Sequence, residues 1–133
     1  MTEKIPNPNQ GIGEKVRVRT EQEYVDMSVQ YALSTGWIKE AEKEILVGKY
    51  LKPIYQKYLE VIEELRKEDV PENELAKIVL KMNACLEATR RIGSTDADNI
   101  IRSIADLRNR SHDDYTEYAL TSLLVFVSEL IRS

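Results

Sequence analysis

Apolar residues recur at helical spacing along nearly the whole chain, from Thr20 to the C-terminus. Over residues 50–68 they stand three or four positions apart, and the spacing continues over 71–91 and 100–107. Only residues 15–19, Lys-Val-Arg-Val-Arg, alternate in the manner of an extended strand, and no second alternating stretch offers it a partner. The sequence therefore predicts an all-α fold, a helical bundle of five to six helices.

Helix start and stop signals divide this pattern. The run Thr20–Glu23 is a capping box that begins the first helix, and Ser34-Thr35-Gly36 is a tight break that ends it. A second helix is predicted from about Trp37 to Val47, with Gly48 as a left-handed cap, which makes a helix-turn-helix near 21–47. Longer helices follow at about 50–68 and 71–91.

Two further helices complete the predicted bundle. Ser94 or Thr95 is expected to cap the fifth, and the last begins at Ser111–Asp114, with Ser111 as N-cap and His112 in its first turn. A chain of 133 residues suits one domain. We predict an extended N-terminal arm over 1–20 and a single α-helical domain over 21–133.

The counts of reactive side chains limit the chemistry. Cys85 is the only cysteine and His112 the only histidine, which excludes an internal disulfide, a multi-cysteine zinc site and a paired-histidine motif. The sequence predicts no metal site, no cofactor and no small-molecule substrate. Arg108 and His112 form the only catalytic-looking pair. They are similar in position to the Arg and His of HEPN-type ribonucleases, although only three residues separate them here.

Charge is unevenly distributed along the chain, although the total is only −4. Residues 1–20 and 39–57 each carry a net charge of +2, whereas residues 58–74 carry −5. This polarity fits a basic face turned towards a polyanion, with an acidic outer side. The simpler interpretation is that Lys and Glu side chains at i,i+4 spacing solvate the helices.

Seven of the nine aromatic residues are tyrosines, and five of them lie in the first half of the chain. Tyrosine suits surfaces that become buried against partners, and it also suits half-buried helix positions. The last helix is apolar around most of its circumference, which is typical of a central bundle helix or of a subunit contact.

The segment Arg90-Arg91-Ile92-Gly93-Ser94, followed by two apolar helices, resembles the major coat proteins of rod-shaped and filamentous double-stranded DNA viruses of hyperthermophilic archaea (rudivirus, lipothrixvirus or tristromavirus-like). The resemblance implies a non-enzymatic helical capsid subunit, found in the virion and, during assembly, in the host cytoplasm. It implies that the subunit wraps A-form DNA, together with further copies of itself or a paralogous coat protein.

The resemblance also implies which residues bind DNA. Basic side chains of the arm and of the helical part would contact phosphates without reading the base sequence: Lys15, Arg17, Arg19, Lys39, Lys43, Lys49 and Lys52. Two alternatives stay open at this stage. One is a small helical subunit of an RNA-guided or other nucleoprotein defence complex, and the other is a HEPN-like ribonuclease that uses Arg108 and His112.

Overall fold

Helices make up most of the protein in a computed structural model, which describes residues 15–92 and 97–133. In chain order the elements are α1 (Glu21–Ser34), a 3₁₀ turn (Glu40–Glu42), α2 (Lys43–Leu46), a π-helical turn (Val47–Leu51), α3 (Lys52–Lys67), α4 (Glu72–Thr89), α5 (Ala97–Asn109) and α6 (Asp114–Arg132). This confirms the predicted all-α bundle. Residues 1–14 of the arm, and the predicted caps Ser94 and Thr95, lie outside the described residues.

Three helices, α3, α4 and α6, pack against one another in pairs and enclose the centre of the core. α5 packs on α4 and α6, and α1 packs on α3 and α4. The apolar positions predicted for the two long central helices are all buried: Leu51, Ile54, Tyr55, Tyr58, Val61, Ile62 and Leu65 on the first, and Leu75, Ile78, Val79, Met82, Cys85, Leu86 and Thr89 on the second. Helical periodicity alone therefore identified the core faces.

The break after α1 is a Schellman motif. Gly36 adopts a φ of +79°, and its N–H donates to the Leu33 carbonyl at 3.1 Å. The Trp37 N–H donates to the Ala32 carbonyl at 3.0 Å, which is the second bond of the motif. This confirms the predicted break at residues 34–36.

The predicted break at Gly48 is wrong. Gly48 lies inside the π-helical turn and has no positive φ, so the helix continues from α2 into α3. The wide turn stands directly before Pro53, and its last bond runs from the Lys52 N–H to the Val47 carbonyl. In a regular α-helix the ring of Pro53 would collide with the carbonyl four residues earlier, and a π turn relieves that collision. The second helix of the predicted helix-turn-helix is thus the start of a longer helix over residues 43–67, interrupted by the π turn and here called the bent helix.

The predicted start of the last helix is also wrong. α6 begins at Asp114 with Asp113 as its N-cap, and the Asp113 carboxylate accepts the Thr116 N–H at 3.0 Å. Ser111 instead donates its hydroxyl to the Leu107 carbonyl at 3.0 Å, which closes the end of α5. Asp113 is the N-cap because its charged carboxylate accepts the free amides of the first turn more strongly than the Ser111 hydroxyl would. Hydrogen bonds from the Thr116 hydroxyl and the Thr116 N–H to the carboxylate lower the pKa of Asp113.

α3 ends in a second Schellman motif, whose left-handed position is filled by Asp69 at a φ of +59°. The Val70 N–H reaches back to the Leu65 carbonyl at 3.4 Å, and the Val70 side chain is buried. A side chain with a Cβ is strained at this φ, whereas glycine is not. The acid also stands at the negative end of the helix dipole.

We expect Asp69→Gly to stabilise the fold by about 0.5–1 kcal/mol, because it removes the strain at the left-handed position. The free energy of unfolding from urea titration measures the effect. Asp69→Asn is the matched control, since it removes the charge and keeps the Cβ. A gain from Asn as large as that from Gly would assign the effect to charge and contradict the argument from backbone strain.

The single thiol lies in the core, where Cys85 is 1% exposed and burial raises its pKa to about 12 from an ordinary value of 9.0. The unfolded chain therefore releases the thiol proton at a lower pH than the folded chain. The contribution of the thiol to the free energy of unfolding should be constant below pH 9 and fall as the pH rises from 9 towards 12. Urea titrations of wild type and Cys85→Ala across that window should show a shallower fall for the variant. Parallel curves would contradict the burial of the thiol.

Candidate nucleic-acid interface

The predicted arm is held against the bundle where the structure describes it. Residues 15–20, here called the strap, run as extended chain into α1 and cross α3 and α4. The Arg19 N–H donates to the Tyr58 hydroxyl at 2.8 Å, and the Tyr55 hydroxyl donates to the Arg19 carbonyl at 2.7 Å. The Asn83 amide donates to the Arg17 carbonyl at 2.9 Å. These bonds satisfy three backbone polar groups of the strap, which has no neighbouring strand within the described residues to pair with them.

The centre of this attachment is the Tyr58 hydroxyl, which is fully buried. It accepts the Arg19 amide and donates to the Asn83 side-chain oxygen at 2.5 Å. Burial raises the pKa of Tyr58 to about 12, so the hydroxyl keeps the proton that it donates. One hydroxyl therefore joins the strap, α3 and α4.

The interpretation of the first-half tyrosines as a partner surface is wrong for three of them. Tyr24, Tyr55 and Tyr58 are at most 6% exposed, and their rings form a continuous cluster. The Tyr24 hydroxyl bonds Thr89 at 2.7 Å, which ties α1 to the end of α4. These side chains are core residues whose hydroxyl groups hold the N-terminal part of the chain in place.

The three predicted strap residues differ in their surroundings. Lys15 and Arg17 are exposed. The Arg19 guanidinium is partly buried, lies 3.3 Å from the Glu87 carboxylate and contacts the Met27 sulfur at 3.8 Å. Arg19 thus contributes to fixing the strap on α4, while the side chains of Lys15 and Arg17 are accessible to a ligand.

The other four predicted residues line the bent helix and the turn before it. Lys39 and Lys52 are exposed, Lys43 is 2.9 Å from the Glu40 carboxylate, and the Lys49 ammonium lies 5.3 Å from the centre of the Tyr50 ring. Lys43 and Lys52 also border a groove of about 520 Å³ between α1 and the bent helix. Its walls include the carboxylates Asp26, Glu40 and Glu44. Acidic side chains therefore alternate with the lysines on this surface.

The strap and the bent helix meet at Tyr55. This residue bonds the Arg19 carbonyl and stands one helical turn after Lys52. The Tyr55 hydroxyl therefore ties the strap to the helix that also carries Lys52.

Two arginines outside the predicted DNA-binding set add to the basic side chains of this surface. Arg90 and Arg91 border a shallow groove of about 480 Å³ at the end of α4, next to Glu87, the ion-pair partner of Arg19. The Arg90 guanidinium also lies 4.5 Å from the centre of the Tyr31 ring. The signal for this surface was the net charge of +2 over residues 90–110.

The ribonuclease-like pair lies between α5 and α6. Arg108 is in the last turn of α5, where its guanidinium donates to the Asn109 side chain at 3.2 Å. His112 is exposed in the connecting loop, before the N-cap of α6. The histidine is therefore not in the first turn of the last helix, the place that the similarity to HEPN-type ribonucleases requires.

Comparisons with protein-family models, with curated proteins and with solved structures found no match to this chain. No helix within residues 15–92 and 97–133 has the length and apolarity needed to cross a bilayer. Across the same ranges, no three His, Cys, Asp or Glu side chains are grouped so as to hold a metal ion.

We expect Tyr58→Phe to release the strap and to cost about 1–3 kcal/mol of stability, because it leaves the Asn83 side chain and the Arg19 amide without their buried partner. Limited digestion with trypsin, which cuts after Arg17 and Arg19, measures the release. Tyr24→Phe is the matched control, since it also removes a buried tyrosine hydroxyl but none that touches the strap. Equal protection of the strap in the two variants would contradict its attachment through Tyr58.

Proposed function

We propose that the protein is a structural, non-enzymatic subunit of a helical capsid that packages double-stranded DNA through contacts to phosphates. It acts with further copies of itself or with a paralogous coat protein. The resemblance in the segment Arg90–Ser94 and the order of the helices suggest this class, and with it DNA in the A form inside a virion. The surface of the described residues supports the phosphate contacts.

The observation that carries the proposal is the attachment of the strap. Its backbone is held at Arg17 and Arg19 by three side chains of the bundle, while the side chains of Lys15 and Arg17 are exposed. Cations on a preorganised backbone bind phosphates at a lower entropic cost than cations on a free tail. Contacts of this kind fix a duplex in position and do not discriminate between sequences, which suits packaging.

The charge distribution supports the same use. Exposed basic residues stand on the strap and at Lys49 and Lys52, around the start of α3, while residues 58–74, from the middle of α3 into α4, carry a net charge of −5. A polyanion is attracted to one side and repelled by the other, so the subunit would approach DNA in one orientation. The total charge of −4 is low for a protein that coats DNA alone, and a more basic paralogous subunit would compensate for it.

We expect the double variant Lys15→Gln, Arg17→Gln to bind duplex DNA more weakly on every sequence, and to reduce the slope of log K against log salt by up to about two. Fluorescence anisotropy with labelled duplexes over a salt series measures both quantities. The matched control, Arg66→Gln with Lys67→Gln, removes two charges from the acidic end of α3 and should leave the slope unchanged.

An unchanged slope in the strap variant would remove the strap from the DNA interface. Tighter binding to RNA than to a duplex of equal length would contradict the packaging proposal. That result would favour the subunit of a nucleoprotein defence complex instead.

A further inference from the structure

An open apolar groove runs along the outer side of α6, where that helix meets α3. It has a volume of about 590 Å³, and its floor includes Tyr118, Val125 and Phe126. Tyr118 is 47% exposed and Val125 is 50% exposed, although the opposite side of α6 is fully packed in the core. The apolar residues of α6 therefore form two surfaces, one packed in the core and one exposed on the outside of the molecule.

Carboxylates surround this groove. Asp114, Glu117 and Glu129 line it from α6, and an adjoining hollow is bordered by Glu64 of α3 and by its C-cap residue Glu68. The Tyr118 hydroxyl donates to the Glu64 carboxylate at 2.5 Å, and Lys57, which also lines the groove, pairs with Glu60 at 3.8 Å. Two such grooves placed face to face would bring carboxylates together, which disfavours a symmetric pairing through α6. The groove instead suits a basic surface with an apolar centre.

The outer face of α4 provides such a surface on the same chain. Leu80 is 49% exposed, and Lys77 and Lys81 flank it on the exposed side of the helix. Ala84 follows one turn later, so the four residues form a ridge along the helix. Neither lysine belongs to the predicted DNA-binding set.

The positions of the two surfaces decide how they can meet. The groove is lined by α6 and by Lys57 of α3, whereas the ridge belongs to α4, so the two surfaces share no residue. The ridge lies on the side of α4 that faces away from the core. A contact of the groove with the ridge of a second molecule therefore joins two different surfaces. Such a head-to-tail contact repeats without closing unless its rotation forms a ring.

We propose that the groove between α3 and α6 receives the α4 ridge of a second copy of this chain, with Leu80 on the apolar floor and Lys77 and Lys81 against the carboxylates. This inference rests on the proposed function, since it names the contact through which subunits would assemble. Its test contains no DNA, so its failure and a failure of DNA binding are distinguishable.

The experiment measures self-association by sedimentation velocity as a function of protein concentration, at low and at high salt. Wild type should form a ladder of oligomers that salt weakens. Leu80→Asp, which disables the ridge, and Val125→Arg, which disables the groove, should each weaken self-association by at least about tenfold. An equimolar mixture of the two variants retains one intact groove and one intact ridge. It should form dimers and nothing larger.

Ile45→Asp is the matched control, because Ile45 is an exposed apolar residue, 65% accessible, outside both surfaces. This variant should associate as wild type does. Unchanged circular dichroism and unfolding midpoints show that all three variants fold. A wild type that stays monomeric at every concentration would overturn the proposal. So would a variant mixture without dimers, or single variants that still associate as symmetric pairs.

Discussion

The N-terminal part of the chain depends on one buried hydroxyl, that of Tyr58. It accepts the Arg19 amide from the strap and donates to Asn83 on α4, while its ring packs in the core of α3. A buried hydroxyl without partners costs free energy, so these two bonds stabilise the contact of α3 with α4 and with the strap. The backbone of the exposed Arg17 is fixed by the same network, through the Asn83 amide.

At two places in the fold, tertiary packing outweighs a local preference of the backbone. Pro53 disfavours a continuous helix, yet the chain continues through it because a π turn at Val47–Leu51 makes room and because Leu51 and Ile54 are buried on either side. Asp69 accepts a left-handed φ because the motif that it completes buries Val70. In both cases burial of apolar side chains outweighs the cost of the local backbone conformation.

Different regions of the described surface differ in charge. Exposed basic side chains lie on the strap, at Lys15 and Arg17, and carboxylates surround the apolar groove between α3 and α6. A subunit with this polarity can hold a polyanion on one side while a basic ridge of its neighbour occupies another. The two proposals therefore require different residues of the same molecule, and neither needs a reactive site.

Helical periodicity and capping signals determined the all-α class, the buried faces of α3 and α4, and the boundaries of α1, because these properties depend on neighbours within one or two turns. Sequence also located the basic segments, although it could not show that Arg19 pairs with Glu87 or that Arg90 stacks on Tyr31. Only the tertiary structure decided that Tyr24, Tyr55 and Tyr58 are internal, that the strap is attached, and that Tyr118 and Val125 of α6 are exposed. Those outcomes depend on contacts between residues far apart in the chain, such as Arg17 with Asn83, and spacing along a single sequence does not encode them.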